Sequence, residues 1–61
     1  MTFGELKRLL KKNGCYLDRE GSRHEVWYSP ITGKRFQVGR HSSEEVATGT
    51  LKNIKKDAGI K

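Results

Sequence analysis

The first apolar positions of the chain recur at helical spacing. Phe3, Leu6 and Leu10 fall at i, i+3 and i+7, which predicts one buried face of an α-helix. Thr2 and Glu5 have the spacing of a capping box at its start. A glycine follows the pattern, and glycine is the usual residue at the left-handed end of a helix. The predicted helix covers residues 3–13.

Behind this helix the period of the pattern changes to two. Residues 15–18, 23–28 and 34–38 alternate in polarity, and the second segment has the Val, Trp and Tyr content typical of strands. Residues 29–33 contain a proline and a glycine, as hairpin loops do. These features predict three antiparallel strands.

Helical spacing returns near the end of the sequence. Leu51, Ile54 and Ala58 fall at i, i+3 and i+7. Thr48 is the predicted N-cap, and Gly59 is expected to end this second helix. Residues 39–47, between the third strand and this helix, are predicted to be irregular.

The resulting order predicts the fold class. An α-β-β-β-α chain is an α+β protein in which two helices cover one face of a three-stranded antiparallel sheet and leave the other face open. With 61 residues and 7.0 kDa, we expect a single domain over residues 1–61. One cysteine excludes an internal disulfide. No segment has the length of a membrane span and no signal peptide is evident, so the expected location is the cytoplasm.

The charge of the chain narrows the range of partners. Thirteen Lys and Arg residues against seven Asp and Glu residues give a net charge of +6. A small basic protein concentrates polyanions at its surface, and nucleic acid is the commonest of these. A basic surface without a ligand, or one that binds an acidic protein, would have the same charge.

Three segments in this order resemble the HicA family of toxins from toxin–antitoxin pairs: residues 21–24 (GSRH), 38–41 (VGRH) and 49–60 (GTLKNIKKDAGI). The resemblance implies a fold like the double-stranded RNA-binding domain. It also implies a metal-independent endoribonuclease that cleaves mRNA with no cofactor. The implied partner is a HicB antitoxin that covers the active site, with the toxin monomeric outside that complex. A non-catalytic module that binds double-stranded RNA is the alternative for this fold.

The resemblance implies that His24 is the catalytic residue. The family's catalytic histidine follows a Gly-Ser pair, and since Arg23 comes directly after that pair here, His24 is the only histidine within the motif. RNA supplies its own nucleophile, the 2′-hydroxyl, so the enzyme needs a base for that proton. Imidazole suits this role, with an ordinary pKa of about 6.5. However, strand alternation groups His24 with Val26 and Tyr28, and that side of the strand could face the core. A structural histidine is therefore the alternative.

Phosphate and RNA contacts are expected from the basic side chains and their polar neighbours. Arginine suits the reacting phosphate, since its planar guanidinium binds phosphate oxygens in pairs. His41 could supply the acid for the leaving oxygen or only stabilise its loop, and the helix lysines could be a solvated face. The predicted RNA-binding residues are Ser22, Arg23, Lys34, Arg35, Arg40, His41, Lys52, Lys55 and Lys56.

Two adjacent aromatic residues could have either of two roles. Trp27 and Tyr28 could stack on unpaired bases. In a small protein with few large apolar residues, either could instead belong to the core.

Overall fold

A computed structural model describes residues 1–60, and Lys61 lies outside the described residues. The order of elements is helix, three strands, helix, which confirms the predicted fold class. The elements are α1 (Phe3–Lys12), β1 (Tyr16–Glu20), β2 (His24–Ser29), β3 (Lys34–Gly39) and α2 (Thr48–Ala58).

Local hydrogen bonds define both ends of α1. The Glu5 amide donates to Thr2 Oγ1 at 3.2 Å, and the Thr2 amide donates to Glu5 Oε1 at 2.9 Å, so the predicted capping box is present. At the other end, Gly14 has a positive φ of 88°. The Cys15 amide donates to the Leu10 carbonyl at 2.9 Å, which closes a Schellman motif.

The sheet is an antiparallel meander in the order β1-β2-β3. Its register sets Trp27 of β2 between Leu17 and Phe36, and His24 opposite Gly39. A bulge between Leu17 and Arg19 interrupts the β1–β2 ladder. The bulge lets β1 continue to Glu20, two residues beyond its predicted end.

The core lies between the helices and one face of the sheet. Trp27 and Ser29 are buried on this face, which also contains the buried β3 side chains. Ser29 Oγ donates to the Ala58 carbonyl at 2.6 Å and so ties β2 to α2. The apolar core residues are Leu6, Leu10, Cys15, Trp27, Phe36, Val38, Val46, Ile54 and Ala58.

This packing decides which face of β2 is covered. Because Trp27 is 2% exposed and Ser29 is fully buried, the alternate side chains point to the other face. His24 is exposed, and Val26 and Tyr28 are partly exposed. The possibility that His24 faces the core is therefore wrong, while the core assignment is correct for Trp27.

The structure also corrects several predicted boundaries. Strand β2 begins at His24 and runs on to Ser29, which the sequence pattern had placed in the hairpin loop. The predicted cap at Thr48 is wrong: Ala47 is the N-cap of α2 and makes no side-chain capping bond. The predicted end at Gly59 is confirmed, with φ 76° and an Ile60 amide that donates to the Lys55 carbonyl at 2.9 Å.

Candidate functional site

A cleft opens at the edge of the sheet where β2 begins and β3 ends. Its volume is about 360 Å³. His24, the first residue of β2, lies in this cleft with an exposed side chain. The residues that line the cleft are Phe3, Arg23, His24, Gln37, Gly39, Arg40, His41, Glu44 and Thr50.

The turn before His24 requires a glycine. The Gly21 amide donates to the His24 carbonyl at 2.8 Å and closes the β1–β2 connection. A Cβ added at Gly21 would lie 2.8 Å from that same carbonyl oxygen, and this distance is too short for a carbon–oxygen contact with the backbone. Gly21 therefore lets the chain turn sharply enough to bring Arg23 and His24 together at the cleft.

Arg40 is held both by its side chain and by its backbone. Its Nη1 donates to the Ser22 carbonyl at 3.2 Å, across the cleft edge to the β1–β2 turn. Its own carbonyl accepts from Lys7 Nζ at 3.3 Å. These contacts connect the ends of two strands and α1, and they keep a positive charge beside Arg23 and His24.

Lys7 of α1 belongs to a partly buried network and not to a solvated face of the helix. Lys7 Nζ lies 3.1 Å from Glu25 Oε1, and the two side chains are only 14% and 15% exposed. Trp27 Nε1 donates to the same Glu25 oxygen at 3.1 Å. Burial alone would raise the pKa of Glu25, but the hydrogen bonds from Trp27 and Lys7, with the charges of Lys7 and Arg40, outweigh it and lower that pKa.

The loop that carries His41 is fastened to the start of α1. The Phe3 amide donates to the Glu44 carbonyl and the Gly4 amide donates to the Ser42 carbonyl, both at 2.9 Å. These bonds use donors that an α-helix leaves unpaired in its first turn. The loop is irregular as predicted, yet its backbone position beside the cleft is defined by α1.

Gly39 provides the close contact between α1 and the end of β3. A Cβ at Gly39 would lie 2.7 Å from the tip of the Phe3 ring, which also lines the cleft. Any side chain at position 39 must therefore displace Phe3. A substitution there would change one wall of the cleft without touching a charged group.

The first turn of α2 reaches the cleft through Thr50. No acidic residue lies in this turn, and Ala47 offers no side-chain acceptor for its amides. The unpaired amides and the helix dipole make this end of α2 favourable for an anion.

The structure brings four of the candidate residues together in the cleft: Arg23, His24, Arg40 and His41. Ser22 contributes its carbonyl to Arg40. The remaining candidates do not line the cleft: Lys34 and Arg35 lie at the opposite end of β3, and Lys52, Lys55 and Lys56 lie along α2.

Five residues that line the cleft are not among the predicted site residues, namely Phe3, Gln37, Gly39, Glu44 and Thr50. The alternation of residues 34–38 was a usable signal for an outward Gln37, and so was the position of Thr50 at the start of α2. Phe3 and Glu44 reach the cleft through the contact between the loop and α1, which spans some forty residues of sequence and has no local signal.

The chain also matches the model of a known protein family over nearly its whole length. Residues 3–60 match the model of a family described as the HicA toxin of bacterial toxin–antitoxin systems. The chain belongs to the HicA toxin family. The match runs from the start of α1 to the residue after Gly59, so it includes every element of the fold and every residue that lines the cleft.

Comparison with curated proteins and with solved structures gave no significant match. Within residues 1–60, no helix has the length and apolar character needed to cross a membrane. In the same residues, no group of three or more His, Cys, Asp and Glu side chains is placed to hold a metal ion.

Proposed function

We propose that this HicA family member is an endoribonuclease that cleaves mRNA at the cleft. The observation that carries the proposal is the exposed His24 side chain in a cleft with two arginines and a second histidine. Membership of a toxin family supports it, since RNA cleavage is a direct way for a small protein to stop growth.

The cleft residues divide the chemistry between them. His24 acts as the base that removes the proton from the RNA 2′-hydroxyl, whose oxygen then attacks the adjacent phosphorus. The bond from phosphorus to the 5′-oxygen breaks, and His41 is the candidate acid that protonates this leaving oxygen. The products are a 2′,3′-cyclic phosphate and a free 5′-hydroxyl.

Arg23 and Arg40 stabilise the charge that develops on the phosphorane. Both line the cleft, and the bond from Arg40 to the Ser22 carbonyl holds its guanidinium in place before RNA binds. A charge that is already oriented costs little reorganisation when the reaction occurs. The first-turn amides of α2, beside Thr50, offer a further position for a phosphate oxygen.

The decisive experiment compares wild-type protein with His24→Ala on an RNA substrate in the presence of a chelator. We expect the variant to cleave roughly 10²–10⁴-fold more slowly, because it lacks the base. The exposed side chain makes this change tolerable to the fold, and a circular dichroism melt checks that. A strand with 2′-deoxyriboses should resist the wild-type protein.

Cleavage by purified His24→Ala at the wild-type rate would contradict this assignment. The variant is purified in the same way, so it also controls for contaminating ribonucleases. A wild-type protein that shifts RNA in a gel but leaves it whole would support the alternative, a non-catalytic module that binds double-stranded RNA.

The antitoxin is the second part of the proposal. Toxins of this class are paired with an antitoxin, and a HicB-like protein that covers the cleft would keep His24 from RNA. The cleft has two arginines and one glutamate, so an acidic surface complements it. The antitoxin should inhibit cleavage at a stoichiometric ratio and lose affinity when Arg23 and Arg40 are changed to Gln.

A further inference from the structure

The face of the sheet opposite the helices carries a second group of side chains, all of them exposed or partly exposed. Tyr16 is opposite Tyr28 in the β1–β2 ladder, and Tyr28 is opposite Arg35 in the β2–β3 ladder. Side chains of paired residues share a face, so these three lie together on the face that the helices leave uncovered. We refer to Tyr16, Tyr28 and Arg35 as the tyrosine patch.

The tyrosine patch is an ordered arrangement. The rings of Tyr16 and Tyr28 lie 5.4 Å apart at 35°. The Arg35 guanidinium lies 5.2 Å from the centre of the Tyr28 ring, within cation–π distance. Arg35 Nε donates to Asp18 at 3.0 Å, which fixes the guanidinium and leaves its two Nη groups able to donate to a ligand.

Its exposure is unusual for a chain with so small a core. Both tyrosines of the sequence are on the open face, and Tyr16 is 48% exposed. By contrast, Trp27 of β2 and Phe36 of β3 are buried on the helix side of the sheet. Aromatic rings that contribute no core packing are available for stacking with a ligand.

The patch is continuous with the cleft along a single strand. His24 and Tyr28 lie on the same face of β2, four residues apart, which corresponds to roughly 13 Å. Gln37 lies on this face of β3, lines the cleft and is two residues from Arg35. A ligand bound in the cleft can therefore extend across the sheet without leaving the surface.

We propose that the tyrosine patch binds unpaired RNA, so that a single strand runs from the cleft across the open sheet face with a base stacked on the Tyr16–Tyr28 pair and a phosphate on Arg35. The inference rests on the proposed function, since it concerns the strand that the cleft would cut. Sheet-based RNA-binding modules stack two or three bases on exposed aromatic residues in this way.

The chemistry of the patch favours a single strand over a duplex. A base can stack on tyrosine only when its π-face is free, and base pairing within a helix removes that access. The arginines of the cleft and of the patch place positive charge at both ends of the path. The proposed substrate is therefore unstructured RNA.

The test measures affinity for an RNA that cannot be cut. A fluorescent, unstructured oligouridylate of about eight nucleotides with 2′-O-methyl groups lacks the nucleophile. Fluorescence anisotropy should show Tyr28→Ala binding roughly 5- to 150-fold more weakly, the range for loss of one stacked base. Tyr28→Phe, which keeps the ring, should bind like the wild type, and a duplex of the same length should bind Tyr28→Ala and wild type equally.

A charge-matched pair tests the phosphate contact. Arg35→Gln and Lys12→Gln each remove one positive charge, but Lys12 is an exposed residue of α1, on the other side of the sheet. Only Arg35→Gln should weaken binding beyond the small effect of net charge. Equal weakening by both would overturn the contact.

A third variant keeps the test valid if Tyr28→Ala unfolds. Tyr16→Ala changes a more exposed ring and should also weaken single-strand binding. In an NMR titration, the amides of β1, β2 and β3 should shift while those of exposed helix positions do not. Wild-type affinity in both tyrosine variants, or an equal loss for duplex RNA, would overturn the proposal and leave the face to a protein partner.

This result is separable from the proposed function. The probe cannot be cleaved, so its affinity reports on the patch even if the wild-type protein proves inactive on RNA. Failure of the proposed function appears as intact RNA in the His24 experiment. Failure of the patch alone appears as efficient cleavage with unchanged affinity in the tyrosine variants.

Discussion

The two histidines of the cleft are held by different kinds of backbone. His24 is the first residue of β2, where its carbonyl accepts from Gly21 and its neighbours are in the sheet ladder. His41 belongs to the irregular loop, whose carbonyls accept from the first amides of α1. The proposed role of His24 as a base requires a well-placed side chain before the reaction starts, and a position at the end of a strand suits that requirement.

The role of His41 as an acid can be tested by changing the leaving group. His41→Ala should slow cleavage of ordinary RNA by roughly 10²–10⁴-fold. A substrate with sulfur in place of the 5′-bridging oxygen should restore most of that rate, since a thiolate leaves without a proton. Single-turnover rates on both substrates provide the measurement.

His24→Ala is the matched control in that experiment, because loss of the base is not remedied by a better leaving group. It should remain slow on both substrates. If His41→Ala is equally slow on both, His41 serves its loop or the phosphate and another group donates the proton.

Among the elements, the contact between α1 and β2 depends on charge as well as on apolar packing. Lys7 of α1 reaches Glu25 of β2, and the same lysine donates to the Arg40 carbonyl at the cleft. This network therefore stabilises the fold and holds the backbone beside the site. An ion pair of this kind is costly to break from one side, because the remaining charge stays partly buried.

Glu25→Gln should lower the free energy of unfolding by roughly 1–3 kcal/mol at pH 7. The loss of stability caused by this substitution should become smaller as the pH is lowered. The pKa of Glu25 is lowered in the folded state, so its contribution is complete above the ordinary carboxyl value of about 4.3 and is lost as the pH falls through the lower folded value. Urea unfolding at neutral and acidic pH measures both changes.

Asp18→Asn provides the matched control for stability. It breaks the Arg35–Asp18 ion pair, in which Arg35 is 63% exposed, and exposed pairs contribute at most about 1 kcal/mol. If Glu25→Gln costs no more than Asp18→Asn, or if its cost does not diminish in acid, the network contributes no more than a surface pair.

The elements themselves were largely predictable, and their ends less so. Helical and alternating periods identified all five, and both glycine helix ends were found because a positive φ strongly favours glycine. The bulge at Asp18, the buried Ser29 and the uncapped start of α2 were not found. Each of these features depends on contacts with a neighbouring strand or helix, and the secondary-structure propensities of single residues do not include such contacts.

At the scale of the whole molecule, the net charge of +6 should make RNA binding strongly dependent on salt. For a single strand, the slope of log affinity against log salt changes by about 0.7 for each phosphate contact. Arg23→Gln and Arg40→Gln should each reduce the slope by this amount. Anisotropy titrations from low to high salt provide the measurement.

The same titration applied to Lys52→Ala and Lys56→Ala tests the predicted role of α2. A reduced slope would extend the RNA footprint to the helix side of the molecule. An unchanged slope would remove these lysines from it, and would restrict the footprint to the cleft and the sheet face.

By itself, the sequence determined the order of the elements, the glycines that end both helices and the residue types available for chemistry, because periodicity, a positive φ and side-chain character are local properties. Only the tertiary structure decided which face of β2 is covered. As a result His24 and Tyr16 are exposed and Tyr28 is partly exposed, while Trp27 is buried. A shift of one residue in strand register would exchange those faces. The choice depends on how α1 and α2 pack against the sheet, and that packing joins residues far apart in the chain.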